Sequence, residues 1–213
     1  MNKDLSIEKA KLIDILIEKG IKDKKVLNAI AKVPREIFVI DEFIDKAYED
    51  ISLPLFLNQT ISQPYTVAKM TELLDTFPNC EVLEIGTGSG YQACILAELG
   101  CNVFSIERIS ELSAYAKVRI EKLGYSIKLK VGDGTLGWDN SKKFDRVIVT
   151  AAAPSIPETL LTYLKINGIM VIPVGNRNKQ EMYKIIKTDD NNFAIEKHNF
   201  FKFVPLIGKE AWQ

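Results

Sequence analysis

One glycine-rich turn and the acidic residues around it hold most of the chemistry available to this chain. The turn closes the run Val82-Leu-Glu-Ile-Gly-Thr-Gly-Ser-Gly90, Glu107 ends the next apolar run, and Asp133 sits in Gly132-Asp-Gly134. Glycines permit φ > 0 and let a ligand lie against the main chain. A carboxylate at the end of the second strand can accept hydrogen bonds from two ribose hydroxyls. An aspartate after the third strand can take the exocyclic amine of adenine, with Gly134 leaving room for the base. Asp133 alone reads first as a turn former or helix cap, but at three successive strand ends the set spells glycine turn, ribose and adenine in order.

The spacing selects among nucleosides. A dinucleotide turn has the form G-x-G-x-x-G because a helix N-terminus must face a pyrophosphate. Here the glycines fall at 86, 88 and 90, and Tyr91 occupies the position expected for the third. Glu84, just before the turn, is awkward beside a diphosphate and suited to a cationic ligand. S-adenosylmethionine carries a sulfonium and an ammonium and no phosphate, so the turn favours it over a nicotinamide dinucleotide.

A second group of functional side chains lies in Asn58-Gln-Thr-Ile-Ser-Gln-Pro-Tyr65. Ser62 stands two residues before Pro64, at a helix start. It reads as a capping serine, or, with Thr60 and the helix N-terminus, as a site for an anion such as a substrate carboxylate. Acid–base machinery is sparse. His198 is the sole histidine and falls in a hairpin, so a Ser-His-Asp hydrolase is disfavoured, and no His/Cys spacing suggests zinc or another metal. Methyl transfer to a carboxylate needs neither, because the nucleophile is already ionised at neutral pH. Such an enzyme must chiefly align its reactants.

The elements that position these residues follow from periodicity. Residues 5–19 place Ile7, Ala10, Ile13, Leu16 and Ile17 on one helical face before Gly20. Asp23 can cap a second helix burying Val26, Leu27 and Ile30, which stops before Pro34. Pro64 suits the first turn of a helix through Leu74. From residue 81, strands at 81–85, 102–107, 127–131, 144–150 and 169–174 alternate with helices at 91–99, 110–123 and 157–164. That alternation predicts an α/β fold: a mostly parallel, Rossmann-like sheet with helices on both faces. Residues 182–188 and 193–204 alternate around Asp189-Asp-Asn-Asn192 and predict a C-terminal antiparallel hairpin. The expected organisation is a single domain over 1–213: an N-terminal helical, substrate-side extension (1–79), a cofactor-binding α/β core (80–175) and the hairpin (176–213).

Composition narrows the classes further. The 213 residues balance 28 basic against 28 acidic side chains, so no strong field draws nucleic acid or an anionic membrane. No apolar run approaches the roughly 20 residues of a bilayer span. The three cysteines, Cys80, Cys94 and Cys101, have no metal-ligand spacing and read as buried thiols of a cytoplasmic protein.

With these residues in place the chain resembles the protein-L-isoaspartate O-methyltransferases along nearly its whole length. The likeness rests on Val33-Pro-Arg-Glu36, Ala47-Tyr-Glu-Asp50, Gln59-Thr-Ile-Ser-Gln-Pro64, Met70-Thr-Glu-Leu-Leu74 and Leu83-Glu-Ile-Gly-Thr-Gly-Ser-Gly-Tyr-Gln92. It continues through Gly132-Asp-Gly134, Phe144-Asp-Arg-Val-Ile-Val-Thr-Ala-Ala-Ala-Pro154 and Val204-Pro-Leu206. The resemblance implies methylation of the free α-carboxylate of isoaspartyl residues from S-adenosylmethionine, which starts repair through a succinimide. It implies an active-site role for Ser62 and a substrate pocket of Thr60, Ile61, Ser62, Tyr65, Thr150 and Ala151. On the cofactor side it implies Gly86, Thr87, Gly88 and Ser89 for the methionine portion, Glu107 with Arg108 at the ribose, and Asp133 with Gly134 at adenine. It also implies an unusual order for the last two strands. Departures are small: Cys94 and Ser105 stand where small or apolar residues are common. The expected partners are isoaspartyl proteins and peptides, with no nucleic acid, no membrane and a monomeric chain. Rival readings are an S-adenosylmethionine enzyme acting on tRNA or a metabolite, and a binding protein that keeps the pocket without turnover.

Overall fold

The N-terminal segment folds as a chain of short helices because its apolar residues recur at helical spacing and its turn residues punctuate them. The computed structural model describes residues 5–139 and 141–213. Helix α1 (Ser6–Glu18) closes at Gly20, which adopts φ +92°, with Gly20 N–H donating to Ile17 O and Ile21 N–H to Leu16 O. Its buried face differs from the expected one. Leu12 and Leu16 are buried while Ile7 and Ile17 are 65% and 51% exposed. Leu5, Leu12 and Leu16 form a narrower helical stripe, sufficient because α1 packs on its neighbours from one side only. Helix α2 (Lys24–Lys32) buries Val26, Leu27 and Ile30 as expected, and Asp23 caps it by accepting from Lys25 and Val26 N–H.

Two 3-10 turns (Arg35–Phe38 and Asp41–Lys46) lead to a small antiparallel pair, β1 (Leu53–Pro54) and β2 (Thr60–Ile61). Periodicity did not predict this pair, whose strands hold two residues each. Helix α3 (Pro64–Leu74) follows at once, with proline in its first turn.

The main sheet begins with β3 (Glu81–Ile85), α4 (Tyr91–Glu98), β4 (Asn102–Glu107), α5 (Ser110–Lys122) and β5 (Lys128–Val131). It continues through β6 (Phe144–Val149), α6 (Glu158–Thr162), β7 (Leu164–Gly175), β8 (Gln180–Lys187) and β9 (Phe193–Phe201). The spatial order is β5-β4-β3-β6-β7-β8-β9. Pairing is parallel through β7 and antiparallel from β7 to β9, so the last two strands follow in chain order. The expected helix at 157–164 is shorter because Leu164 already pairs with Phe144. The register then breaks before Arg146↔Ile169, with Asn167 at φ +63° in the interruption.

Both faces are covered, unequally. Val82, Val103, Ile148 and Val171 pack with Met70 and Leu74 of α3 and Ala93 and Leu96 of α4. Opposite them, Leu83, Ile85, Phe104 and Val149 meet Leu160, Tyr163 and Leu206, so that face relies on the short α6 and the C-terminal segment. All three cysteines are buried and free. Between β3 and β6 the connections diverge to opposite sides, and such a switch point leaves a crevice beyond the strand ends.

Candidate active site

Beyond the ends of β3 and β6 lies a cavity of about 340 Å³, within the range of small-molecule pockets. The turn after β3 forms its floor. Gly86 adopts φ +94°, and a Cβ there would sit 2.4 Å from Thr150 Oγ1. The Thr150 hydroxyl holds the turn from the neighbouring strand, reaching Gly86 O at 2.6 Å and Ile85 O at 3.0 Å. Gly88, by contrast, has nothing within 4 Å of its Cβ position, so its main chain is open to a ligand.

Glu107, 6% exposed, crosses from β4 to the same turn. Its Oε2 accepts Gly88 N–H at 3.0 Å and its Oε1 accepts Ile109 N–H at 3.0 Å. One backbone donor per oxygen fixes the carboxylate and leaves lone pairs for two ribose hydroxyls. Among the described lining residues Arg108 is the one cation, a poor setting for a diphosphate. An S-adenosyl nucleoside therefore fits these residues: a fixed acid, an open glycine main chain and little positive charge.

Not every expected residue faces the cavity. Thr60, Ile61, Ser62, Gly86, Thr87, Gly88, Ser89, Glu107, Arg108, Gly134, Thr150 and Ala151 all line it. Asp133 does not. Its Oδ1 accepts the N–H and hydroxyl of Thr135 at 2.9 and 2.7 Å, and its Oδ2 accepts Lys209 N–H at 2.8 Å. Partial burial alone would raise this carboxyl. The Lys209 N–H, the hydroxyl and N–H of Thr135, and Arg108 outweigh that effect and hold it below the ordinary carboxylate range. Asp133 thus ties the strand end to the C-terminal segment, and Gly134 carries the cavity wall.

Glu84 is also displaced from its expected place. It is wholly buried, opposite Ser105 in the β3–β4 register. The Ser105 hydroxyl donates to its Oε2, and Thr87 Oγ1 lies 2.6 Å from Ser105 Oγ. Its Oε1 has no partner, and burial pushes its pKa up to about 8.

A second, more open groove of about 670 Å³ is lined by Tyr65, Phe200, Lys202 and Phe203, among others. It shares Thr60, Ser62, Thr150 and Val204 with the first cavity. Ser62 therefore stands where the two spaces meet. It does not cap α3: the N-cap residue is Gln63, without a side-chain cap, and Tyr65 N–H is taken at 2.8 Å by Asp50 Oδ1. Among the described residues the Ser62 hydroxyl has no protein partner. Asp50, Gln63 and Arg35, all within the motif strings, hold the segment around Ser62 through contacts that span 12 to 16 residues, where periodicity is silent.

A glycine turn at the switch point, an acid fixed over it and an antiparallel end to a parallel sheet define a Rossmann-like methyltransferase. The comparisons with known proteins narrow that class. A sequence model of the family Protein-L-isoaspartate(D-aspartate) O-methyltransferase matches residues 7–211. The protein-L-isoaspartate O-methyltransferase of Dictyoglomus turgidum is 56% identical over 203 residues, covering 95% of this chain and 92% of the relative. That of Dictyoglomus thermophilum is 52% identical over 207 residues, covering 97% and 94%. A solved protein-L-isoaspartate O-methyltransferase superposes with a TM-score of 0.85 at 28% identity, over 95% of this chain and 67% of the other. A Plasmodium falciparum structure of the same designation, in complex with S-adenosyl-L-homocysteine, gives 0.79 at 23% identity over 92% and 97%. The chain belongs to the protein-L-isoaspartate(D-aspartate) O-methyltransferase family. Among the described residues no helix is long and apolar enough to cross a membrane, and no cluster of three His, Cys, Asp or Glu is arranged to hold a metal.

Proposed function

We propose that this chain transfers a methyl group from S-adenosylmethionine to the free α-carboxylate of L-isoaspartyl residues in damaged proteins and peptides. The observation that carries the reading is the meeting of a nucleoside-sized cavity and an open groove at Ser62, whose hydroxyl has no protein partner among the described residues. When bound, S-adenosylmethionine supplies a methyl group made electrophilic by its sulfonium. Gly86 to Ser89 and Glu107 would hold it. Gly134 leaves space beside the base, and Arg108 borders the ribose.

On the substrate side, Ser62 donates a hydrogen bond to the carboxylate and orients it, while Thr60 and Thr150 line the shared opening. Ile61 and Ala151 add apolar lining to the first cavity, and Tyr65 borders the peptide in the groove. No general base is required, because the carboxylate is ionised at neutral pH. Alignment in a confined opening supplies the rate, worth up to roughly 10 kcal/mol in favourable cases. The methyl ester then recloses to a succinimide as the next main-chain nitrogen expels methanol, and hydrolysis returns some normal aspartate. We place this activity in the cytoplasm, consistent with three free, buried thiols.

The test is methyl transfer from labelled S-adenosylmethionine to paired peptides that differ only in isoaspartate or aspartate at one position. Base-labile label on the isoaspartyl peptide alone is the expected result. Label on neither peptide, with S-adenosylhomocysteine still bound, would point instead to another acceptor or to a binding protein.

A further inference from the structure

Ser62 is free because another residue does the work that its position invites. A serine just before a helix readily turns its hydroxyl onto the open N–H groups of the first turn. In α3 that duty falls to Asp50, fifteen residues earlier in the chain. Asp50 Oδ1 accepts Tyr65 N–H at 2.8 Å. Its Oδ2 accepts Gln63 Nε2 at 3.1 Å and Lys19 Nζ at 2.5 Å, and its main-chain oxygen accepts Gln63 Nε2 at 2.8 Å. The side chain is 7% exposed, and a buried carboxylate is well placed at the positive end of a helix.

The segment that presents Asp50 is itself clamped. Arg35, fully buried, donates through Nε to Ala47 O at 2.8 Å and through Nη2 to Ile51 O at 3.3 Å. Its guanidinium lies 5.2 Å from the centre of the Tyr91 ring. Lys19, held by Asp50, sits 5.5 Å from the centre of the Tyr65 ring, which borders the substrate groove. Contacts therefore run without a break from Arg35 through residues 47–51 to both residues that follow Ser62 and bond Asp50.

We propose that Asp50 is a positioning residue for the methyl-transfer reaction. By capping α3 from outside, it releases the Ser62 hydroxyl for the substrate carboxylate. Without Asp50, the exposed Tyr65 N–H draws Ser62 Oγ into a local turn and removes it from the opening between the two spaces. This inference rests on the reading of Ser62 as the hydroxyl that orients the substrate.

A double-mutant cycle tests it. The enzymes compared are the full chain, Asp50→Ala, Asp50→Asn, Ser62→Ala and Asp50→Ala/Ser62→Ala, assayed with one isoaspartyl peptide. Asp50→Ala is expected to lower kcat roughly tenfold or more, the effect of one lost hydrogen bond to a charged group. Affinity for S-adenosylhomocysteine, measured by calorimetry, should stay within about twofold, since the effect lies on the substrate side. Asp50→Asn should recover most of the turnover, because its amide oxygen can still accept Tyr65 N–H.

The decisive result is in the Ser62→Ala background, where removing Asp50 should cost little more. Full multiplication of the two losses would overturn the inference and leave the role of Ser62 intact. Full turnover in Ser62→Ala alone would overturn both. If Asp50→Ala does not fold, Asp50→Ala/Gln63→Asp supplies a cap at the N-cap position itself and should restore turnover. A folded double variant that stays slow would count against the proposal.

Discussion

Glu84 and Glu107 are carboxylates on the same face of neighbouring strands with opposite environments, and the difference is one of depth along the strand. Glu107 faces the cavity and accepts one main-chain donor on each oxygen. Glu84 lies deeper in the sheet, in register with Ser105 two residues before Glu107, where one oxygen is held and the other has no partner. Burial raises its pKa from the ordinary 4.5 to about 8, opposed by the Ser105 hydrogen bond and reinforced by the charge of Glu107. Between those two values the folded chain keeps a proton that the unfolded chain has released. Stability is then highest below the window and falls as pH rises through it, by at most about 1.4 kcal/mol per pH unit. Glu84→Gln should remove that slope, gaining on the parent chain between about pH 5 and about pH 8 in urea unfolding. An equal difference between the two proteins at both pH values would refute the assignment. The glycine turn and Glu107 were legible in the sequence because both are local to a strand end. Glu84 was misplaced because it lies two residues short of the turn, and what packs over a strand interior to bury it there comes from segments distant in the chain. Asp133 was half legible: the strand end is right, but its carboxylate is occupied by Lys209, a residue 76 positions away.

At the scale of elements, the turn after β3 depends on the strand beside it. Thr150, just beyond β6, holds Gly86 O and Ile85 O, so two parallel strands share responsibility for the shape of the cofactor floor. Gly86→Ala would put a methyl group 2.4 Å from Thr150 Oγ1 at φ +94°. The clash has to move either the turn or its clamp. Affinity for S-adenosylhomocysteine should fall by about tenfold or more, with a loss of roughly 1–3 kcal/mol of stability from strain. Gly88→Ala has open space around its Cβ and should show the smaller stability loss, near the 1–2 kcal/mol of a left-handed non-glycine residue. Unchanged binding by Gly86→Ala in calorimetric titration would disprove the clamp. The alternating strands and helices from residue 81 were legible because each carries a full period of its pattern. The β1–β2 pair was not, since two residues per strand cannot show a period. The face of α1 was misjudged for a related reason: five apolar residues fit one helical stripe, but packing used the narrower stripe of Leu5, Leu12 and Leu16.

Across the whole molecule, the cavity is assembled from both ends of the chain. Residues 58–62 arrive from the N-terminal segment and 204–207 from the C-terminal one, over a turn supplied by the central strands. The N-terminal helices also share a core with the sheet layer: Leu12, Leu16, Ile30 and Phe38 pack in one cluster with Tyr91, Ile95, Leu112 and Ile120. Separating residues 1–79 would expose that apolar surface on α4 and α5, so we expect 1–213 to unfold as one cooperative unit. The sequence offers two independent reporters. Helices α1 to α3 contain more than half of the α-helical residues, so far-ultraviolet dichroism reads the N-terminal segment strongly. Both tryptophans, Trp138 and Trp212, lie outside it, so their fluorescence reads the core and tail. The two melting curves should coincide, at a midpoint independent of protein concentration if the working unit is a monomer. S-adenosylhomocysteine at about 100 times its Kd should raise stability by roughly 2.7 kcal/mol and move both curves together. Two separated transitions, with only the fluorescence curve shifted by the ligand, would make the N-terminal segment an independent unit. They would also show that residues 58–62 contribute nothing to holding the cofactor.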